Sequence, residues 1–191
     1  MTKNRLEAFS DGVLAIIVTI MVLEMKVPRS ANFEDLKPIF PVFLSYILSF
    51  VFVLIYWNNH HHLMHTVKNV DGRVLWANGH LLFWLSLLPF VSGWMGENHF
   101  AELPVFLYGI VAFMAGVAYY ILSQILIKIH GKDSPLAKAV GKDTKGILSV
   151  VLYLAAIGFA LFYPLVSCAL FVAVAIMWLI PDKRIEKVIN P

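Results

Sequence analysis

The sequence predicts an all-α membrane protein with six transmembrane helices in a single domain spanning residues 1–191. Three observations predict it. Hydrophobic residues make up 60% of the 191 and charged residues 14%, with a mean hydropathy of +0.77. A soluble domain has about 45–50% apolar and about 25% charged residues. Six apolar stretches approach the roughly 20 residues a helix needs to cross a bilayer. Lys and Arg gather in alternate connections between those stretches, as membrane topology requires.

The same numbers exclude several classes. Disorder needs low hydrophobicity and high charge. A disulfide scaffold needs cysteines, and the chain has one. The pI near 9.0 raises the question of nucleic acid, but the net charge is only +3. Its basic residues sit in short clusters between apolar runs, so lipid headgroups explain them better than a nucleic-acid partner does. The first apolar run, residues 13–27, is longer than a signal-peptide core and lacks a small-residue cleavage site, so it reads as a membrane helix.

The six spans are expected at about residues 6–27, 38–58, 74–94, 103–129, 146–163 and 165–180. Pro28 ends the first. The last two are too long for one crossing, and Pro164 supplies the break for a tight hairpin. With six spans, twelve Lys and Arg fall on one side: Lys3, Arg5, Lys68, Arg73, Lys128, Lys132, Lys138, Lys142, Lys145, Lys183, Arg184 and Lys187. Only Lys26, Arg29 and Lys37 fall on the other. The bias puts both termini in the cytoplasm. Trp57, Trp76, Trp94 and Trp178 lie near span ends, as an interfacial aromatic belt does.

The first helix carries the sharpest pattern. Phe9, Val13, Ile16, Ile20, Leu23 and Val27 recur at spacings of four and three, a heptad-like seam. Gly12 and Thr19 flank it. Asp11 lies about 140° around the helix from Ile16. A carboxylate at the bilayer centre costs roughly 2.5–3.5 kcal/mol and less near the interface, so Asp11 needs a partner or water. Two readings of the seam stay open: ordinary packing within a bundle, or copies of this helix meeting around an axis. In the second, rings of Ile16, Ile20 and Leu23 form an apolar constriction, which gates or selects by dewetting.

Arg5-x-x-x-Phe9-Ser10-Asp11-Gly12 resembles the RxxxFSD signature of the transmembrane protein 175 family of potassium-permeable channels. The resemblance continues in Trp57-x-x-His60-His61, in Asn78 and in Ser86-Leu87-Leu88-Pro89-Phe90. It implies a channel whose first helix lines a central pore. It implies a hydrophobic constriction at Ile16, continued by Ile20 and Leu23, with Thr19 matching a threonine linked to potassium selectivity. One six-helix unit per chain implies a homotetramer in the cell (plasma or inner) membrane, with potassium as the permeant ion and no cofactor. A carbonyl-lined filter of the TVGYG type is absent from the sequence.

A polar belt is expected at one membrane depth. Trp57, His60 and Asn78 fall level with Arg5, Ser10 and Asp11, and polar groups in a bundle seek one another across helices. These six are assigned to structural support, with Ser10 and Asp11 bonded to the group containing Trp57, His60 and Asn78, the individual pairings left open. Other readings compete. His61 and His65, at i and i+4, are placed to face one metal ion, although an interfacial cluster is the plainer account and no metal is expected. Asp11 and the histidines are also the residue types of a proton relay or a secondary transporter. A membrane enzyme with several His boxes is disfavoured, because His80, His99 and His130 are isolated. Gly109, Gly116 and Gly158 are read as sites of close helix packing. The lysines of residues 128–145 are read as topology rather than as a lipid-binding patch.

Overall fold

The computed structural model describes residues 2–65, 67, 69–131, 134, 137 and 143–179. The described helices are α1 (Lys3–Leu23), α2 (Phe40–His65), α3 (Gly72–Ser86), α4 (Leu88–Glu97), α5 (Glu102–His130), α6 (Thr144–Ala160) and α7 (Pro164–Leu179), with a 3-10 segment, Phe33–Ile39, leading into α2. Lys68, Lys132, Lys138, Lys142, Lys183, Arg184, Lys187 and the expected end of the sixth span at Ile180 lie outside the described residues.

Four paths are long and apolar enough to cross a bilayer: Lys3–Leu23, Phe33–His65, Gly72–Glu97 and Glu102–His130. The last two helices are shorter, at 17 and 16 residues, or about 25 Å at 1.5 Å per residue. The boundaries differ from the sequence expectation where local chemistry intervenes. The first helix stops at Leu23, four residues before the expected end. The second runs on to His65, so the histidine cluster is helical. The third path is broken at Leu87. Pro89 has no N–H to give the carbonyl four residues back, and its ring crowds that carbonyl. Ser86 Oγ donates to Phe83 O at 2.7 Å, which supports the same break. Pro164 opens α7 at the first helical position, where its missing N–H costs nothing.

The chain passes back and forth through one bundle. The first half of α1 meets the second half of α2 and the first half of α3 through side-chain hydrogen bonds, and Asn69 N donates to His130 Nε2 at the end of α5. At the opposite end, Lys26 Nζ pairs with Glu97 at 2.6 Å and ties the connection after α1 to the end of α4. That carboxylate holds the Lys26 ammonium above its ordinary pKa.

α3 packs chiefly on α5, α6 on α7, and α2 on α4. Tyr108, Phe171, Met64, Leu85 and Leu122 are fully buried. Gly96 permits the α2–α4 approach, since a Cβ there would sit 2.5 Å from Val42 Cα. Gly109 likewise faces Ile157 and Phe171, where a Cβ would meet side-chain carbons at 3.0 and 3.1 Å. The sequence reading is corrected at two positions. A Cβ at Gly158 meets nothing within 4 Å, and one at Gly116 makes only ordinary contact with the Tyr56 hydroxyl. Neither is needed for close packing. Buried hydroxyls join α2, α4 and α5: Ser49 Oγ donates to Ser92 Oγ at 2.9 Å and lies 3.1 Å from Tyr108 Oη, and Ser92 Oγ donates to Ser45 O.

Candidate functional site: the first helix and its anchor

α1 has two unlike faces. Leu6, Ser10, Leu14, Ile17 and Met21 are buried against the bundle, at spacings of four and three that keep one face inward. The seam read from the sequence lies away from them. Ile16 is 57% exposed, Ile20 41% and Leu23 80%. Phe9 and Val27 are exposed too. Apart from Val13, which is half-buried against the core, these seam residues are left largely uncovered within the subunit. Thr19, also exposed, donates its hydroxyl hydrogen to Ile16 O at 2.8 Å. With the hydrogen turned back into the helix, the oxygen presents lone pairs outward.

Beside the seam runs a groove of ≈ 560 Å³ between α1 and α4. Val13, Ile16 and Ile20 form one wall, and Phe90, Gly93 and Trp94 the other. Phe90 and Trp94 stack at 6.0 Å. Glu24 and Glu97 close the groove at one end and also line a second cavity of ≈ 460 Å³ with Lys26, Arg29 and His99. An apolar track beside α1 thus opens on a charged end.

Two separate hydrogen-bonded units hold α1 in rotation. In the first, Asn78 Nδ2 donates to Ser10 Oγ at 2.9 Å, and Ser10 Oγ donates to Leu6 O at 2.9 Å. Asn78 Oδ1 then faces His60 Nε2 at 2.8 Å. An amide oxygen only accepts, so the His60 Nε2 carries the hydrogen. Ser10, His60 and Asn78 are all buried, and each bond has a direction set by chemistry. In the second unit, Trp57 Nε1 donates to Asp11 Oδ1 at 3.0 Å near the surface. This satisfies one oxygen of the carboxylate flagged in the sequence.

Arg5 is not brought into this network. Its side chain is exposed, and no hydrogen bond or ion pair holds it to another described residue. Its place in a charged first turn leaves it facing outward while Leu6 turns in. Among the described residues, no group of three His, Cys, Asp or Glu gathers to hold a metal. The sequence reading missed the Lys26–Glu97 pair, the buried serines and Gly96. Ser45 and Ser49, four residues apart in an apolar helix, were the available signal for the hydroxyl cluster.

Comparison with known proteins gives a consistent picture. The family model described as the endosomal/lysosomal potassium channel TMEM175 matches residues 5–89, which include both anchoring units. The potassium channel HX13_20290 of Chryseobacterium sp. (strain P1-3) is 54% identical over 187 residues, covering 98% of this chain and 97% of that one. The human endosomal/lysosomal proton channel TMEM175 is 35% identical over 101 residues, 47% of this chain and 20% of that protein. The crystal structure of a lysosomal potassium-selective channel TMEM175 homolog from Chamaesiphon minutus shares the fold with a TM-score of 0.77 at 25% identity, over 93% of this chain and 96% of that one. A relative more than half identical along nearly the whole of both chains settles the family: the chain belongs to the TMEM175 potassium-channel family.

Proposed function

We propose that the protein is a potassium-selective, leak-type cation channel of the cell membrane, built from four copies with α1 of each around a central pore. The observation that carries this reading is the division of α1. One face is buried and pinned through Ser10, while Ile16, Ile20 and Leu23 of the apolar seam beside it are left exposed by their own subunit. Copies meeting at that seam close rings of Ile16, Ile20 and Leu23. An ion crossing such rings must shed water. Potassium holds its water less tightly than sodium, so it crosses at lower cost. Thr19 supplies outward oxygen lone pairs between the rings. Ser10, Asp11, Trp57, His60 and Asn78 keep the seam turned to the axis. The bias of basic residues supports cytoplasmic termini. The relatives named potassium channels support the choice of ion. The function is transport, with no chemical step assigned to any residue.

Flux from proteoliposomes tests this. Passive potassium efflux that exceeds sodium efflux and needs no coupled ion is the expected result. No flux from well-folded reconstituted protein overturns it. The animal relatives named proton channels favour a second reading, proton conduction involving Asp11. An Asp11→Ala variant that assembles but loses proton flux supports that reading. A lower yield of assembled channel, with unchanged ion preference in the fraction that assembles, supports the anchoring role.

A further inference from the structure

His61 and His65 lie on the last turns of α2, one helical turn apart. Residues four apart share a helix face, whereas neighbours in sequence do not. His60 is buried and bonded to Asn78, and His62, half-buried and on a different helix face, meets the His61 ring edge-on at 5.7 Å. The His61 and His65 side chains are exposed at the helix end. Their ring centroids are 6.4 Å apart with a tilt of 48°. Two imidazole nitrogens bound to one ion at about 2.0–2.1 Å in adjacent coordination positions bring ring centres to roughly 4.5–5 Å. The observed pair needs to close by about 1–2 Å, which exposed histidine side chains achieve by side-chain rotation.

The geometry points to a bidentate site for a late divalent transition-metal ion, Ni²⁺, Cu²⁺ or Zn²⁺, held by His61 and His65. Imidazole is the side chain that suits these ions. Among the described residues no third protein ligand is gathered there, so water completes the coordination and the ion exchanges freely. The site is a regulatory input rather than a resident cofactor. Trp57 stacks on His61 at 6.4 Å and 29°, and the Trp57 indole donates to Asp11 on α1. An ion that fixes the His61 ring stiffens the support under Trp57 and therefore the helix bearing the seam.

Calorimetry on tag-free, detergent-solubilised protein titrated with Ni²⁺ tests the site without reference to ion conduction. The expected result is one ion per chain at submillimolar affinity. His61→Ala and His65→Ala should each weaken binding at least tenfold, and His62→Ala should leave it unchanged. Size-exclusion profiles check that each variant remains folded. Cu²⁺-loaded protein should show nitrogen couplings from two imidazoles by electron paramagnetic resonance. No binding by the wild type, or equal binding by both alanine variants, overturns the proposal. The link to α1 rests on the channel reading: Ni²⁺ should lower potassium flux in the wild type and not in His65→Ala. Retained binding with unaltered wild-type flux refutes the link while leaving the metal site standing.

Discussion

Replacing Asn78 by leucine removes both arms of the buried anchor without opening a large cavity. Asn78 is 1% exposed and bridges His60 and Ser10 at 2.8 and 2.9 Å. After the change, Ser10 Oγ still donates to Leu6 O and loses only an accepted bond. The His60 Nε2 hydrogen loses its acceptor at a site 3% exposed. A buried donor left unpaired costs about 1–3 kcal/mol. Side-chain bonds between membrane helices average about 0.6 and reach about 1.7 kcal/mol, because the unfolded helices also find partners in the bilayer. Together these give a loss of about 2 kcal/mol, or roughly thirtyfold in the folding equilibrium. Reversible unfolding in mixed micelles, followed by tryptophan fluorescence, measures it. A cycle with Ser10→Ala should show a coupling above about 0.5 kcal/mol, as contacting residues do. If Asn78→Leu is as stable as the wild type and additive with Ser10→Ala, the bridge does not hold α1 and the reasoning fails.

Three further changes probe the scaffold and its surface. Gly96→Val places branched carbon against the Val42 backbone and should destabilise by about 1–3 kcal/mol or more, seen as a lowered unfolding midpoint. Phe171→Ala empties a fully buried site packed on Tyr108 and Tyr153 and should cost about 3–5 kcal/mol, measured in the same way. At the start of α3, the Arg73 side chain and the backbone N–H of Val74 hold the Asp71 carboxyl below its ordinary pKa of 3.8. A depressed carboxylate pKa contributes stability above that ordinary value, and the contribution disappears as pH falls through the folded-state value. Unfolding midpoints measured from neutral pH into acid should fall less steeply for Asp71→Asn than for the wild type.

Much of this molecule is legible in its sequence, because a bilayer imposes length and hydropathy on each crossing. The hydrogen-bond pairings were not legible. Depth along the chain placed Ser10, Asp11, Trp57, His60 and Asn78 at one level, but pairing depends on how α1, α2 and α3 are rotated. Arg5 shows the limit of that argument, since a residue at the right depth turned outward. The break at Leu87 was hidden because only single serines, Ser86 and Ser92, interrupt the apolar run of residues 81–94, and one proline decides the geometry. Periodicity revealed the seam on α1 but not whether the bundle covers it. That required the positions of the other helices, which leave Ile16, Ile20 and Leu23 bare.

The claim that this seam lines an ion path is tested most directly by cysteine substitution in a channel whose sole native thiol, Cys168, has been replaced by serine. A small water-soluble thiol reagent is applied while potassium current is recorded. The account predicts irreversible block when the cysteine stands at Leu23 or Ile20, and no effect when it stands at Ile147, an exposed apolar position on α6. Equal insensitivity at Ile16, Ile20 and Leu23, in channels that conduct, would contradict it.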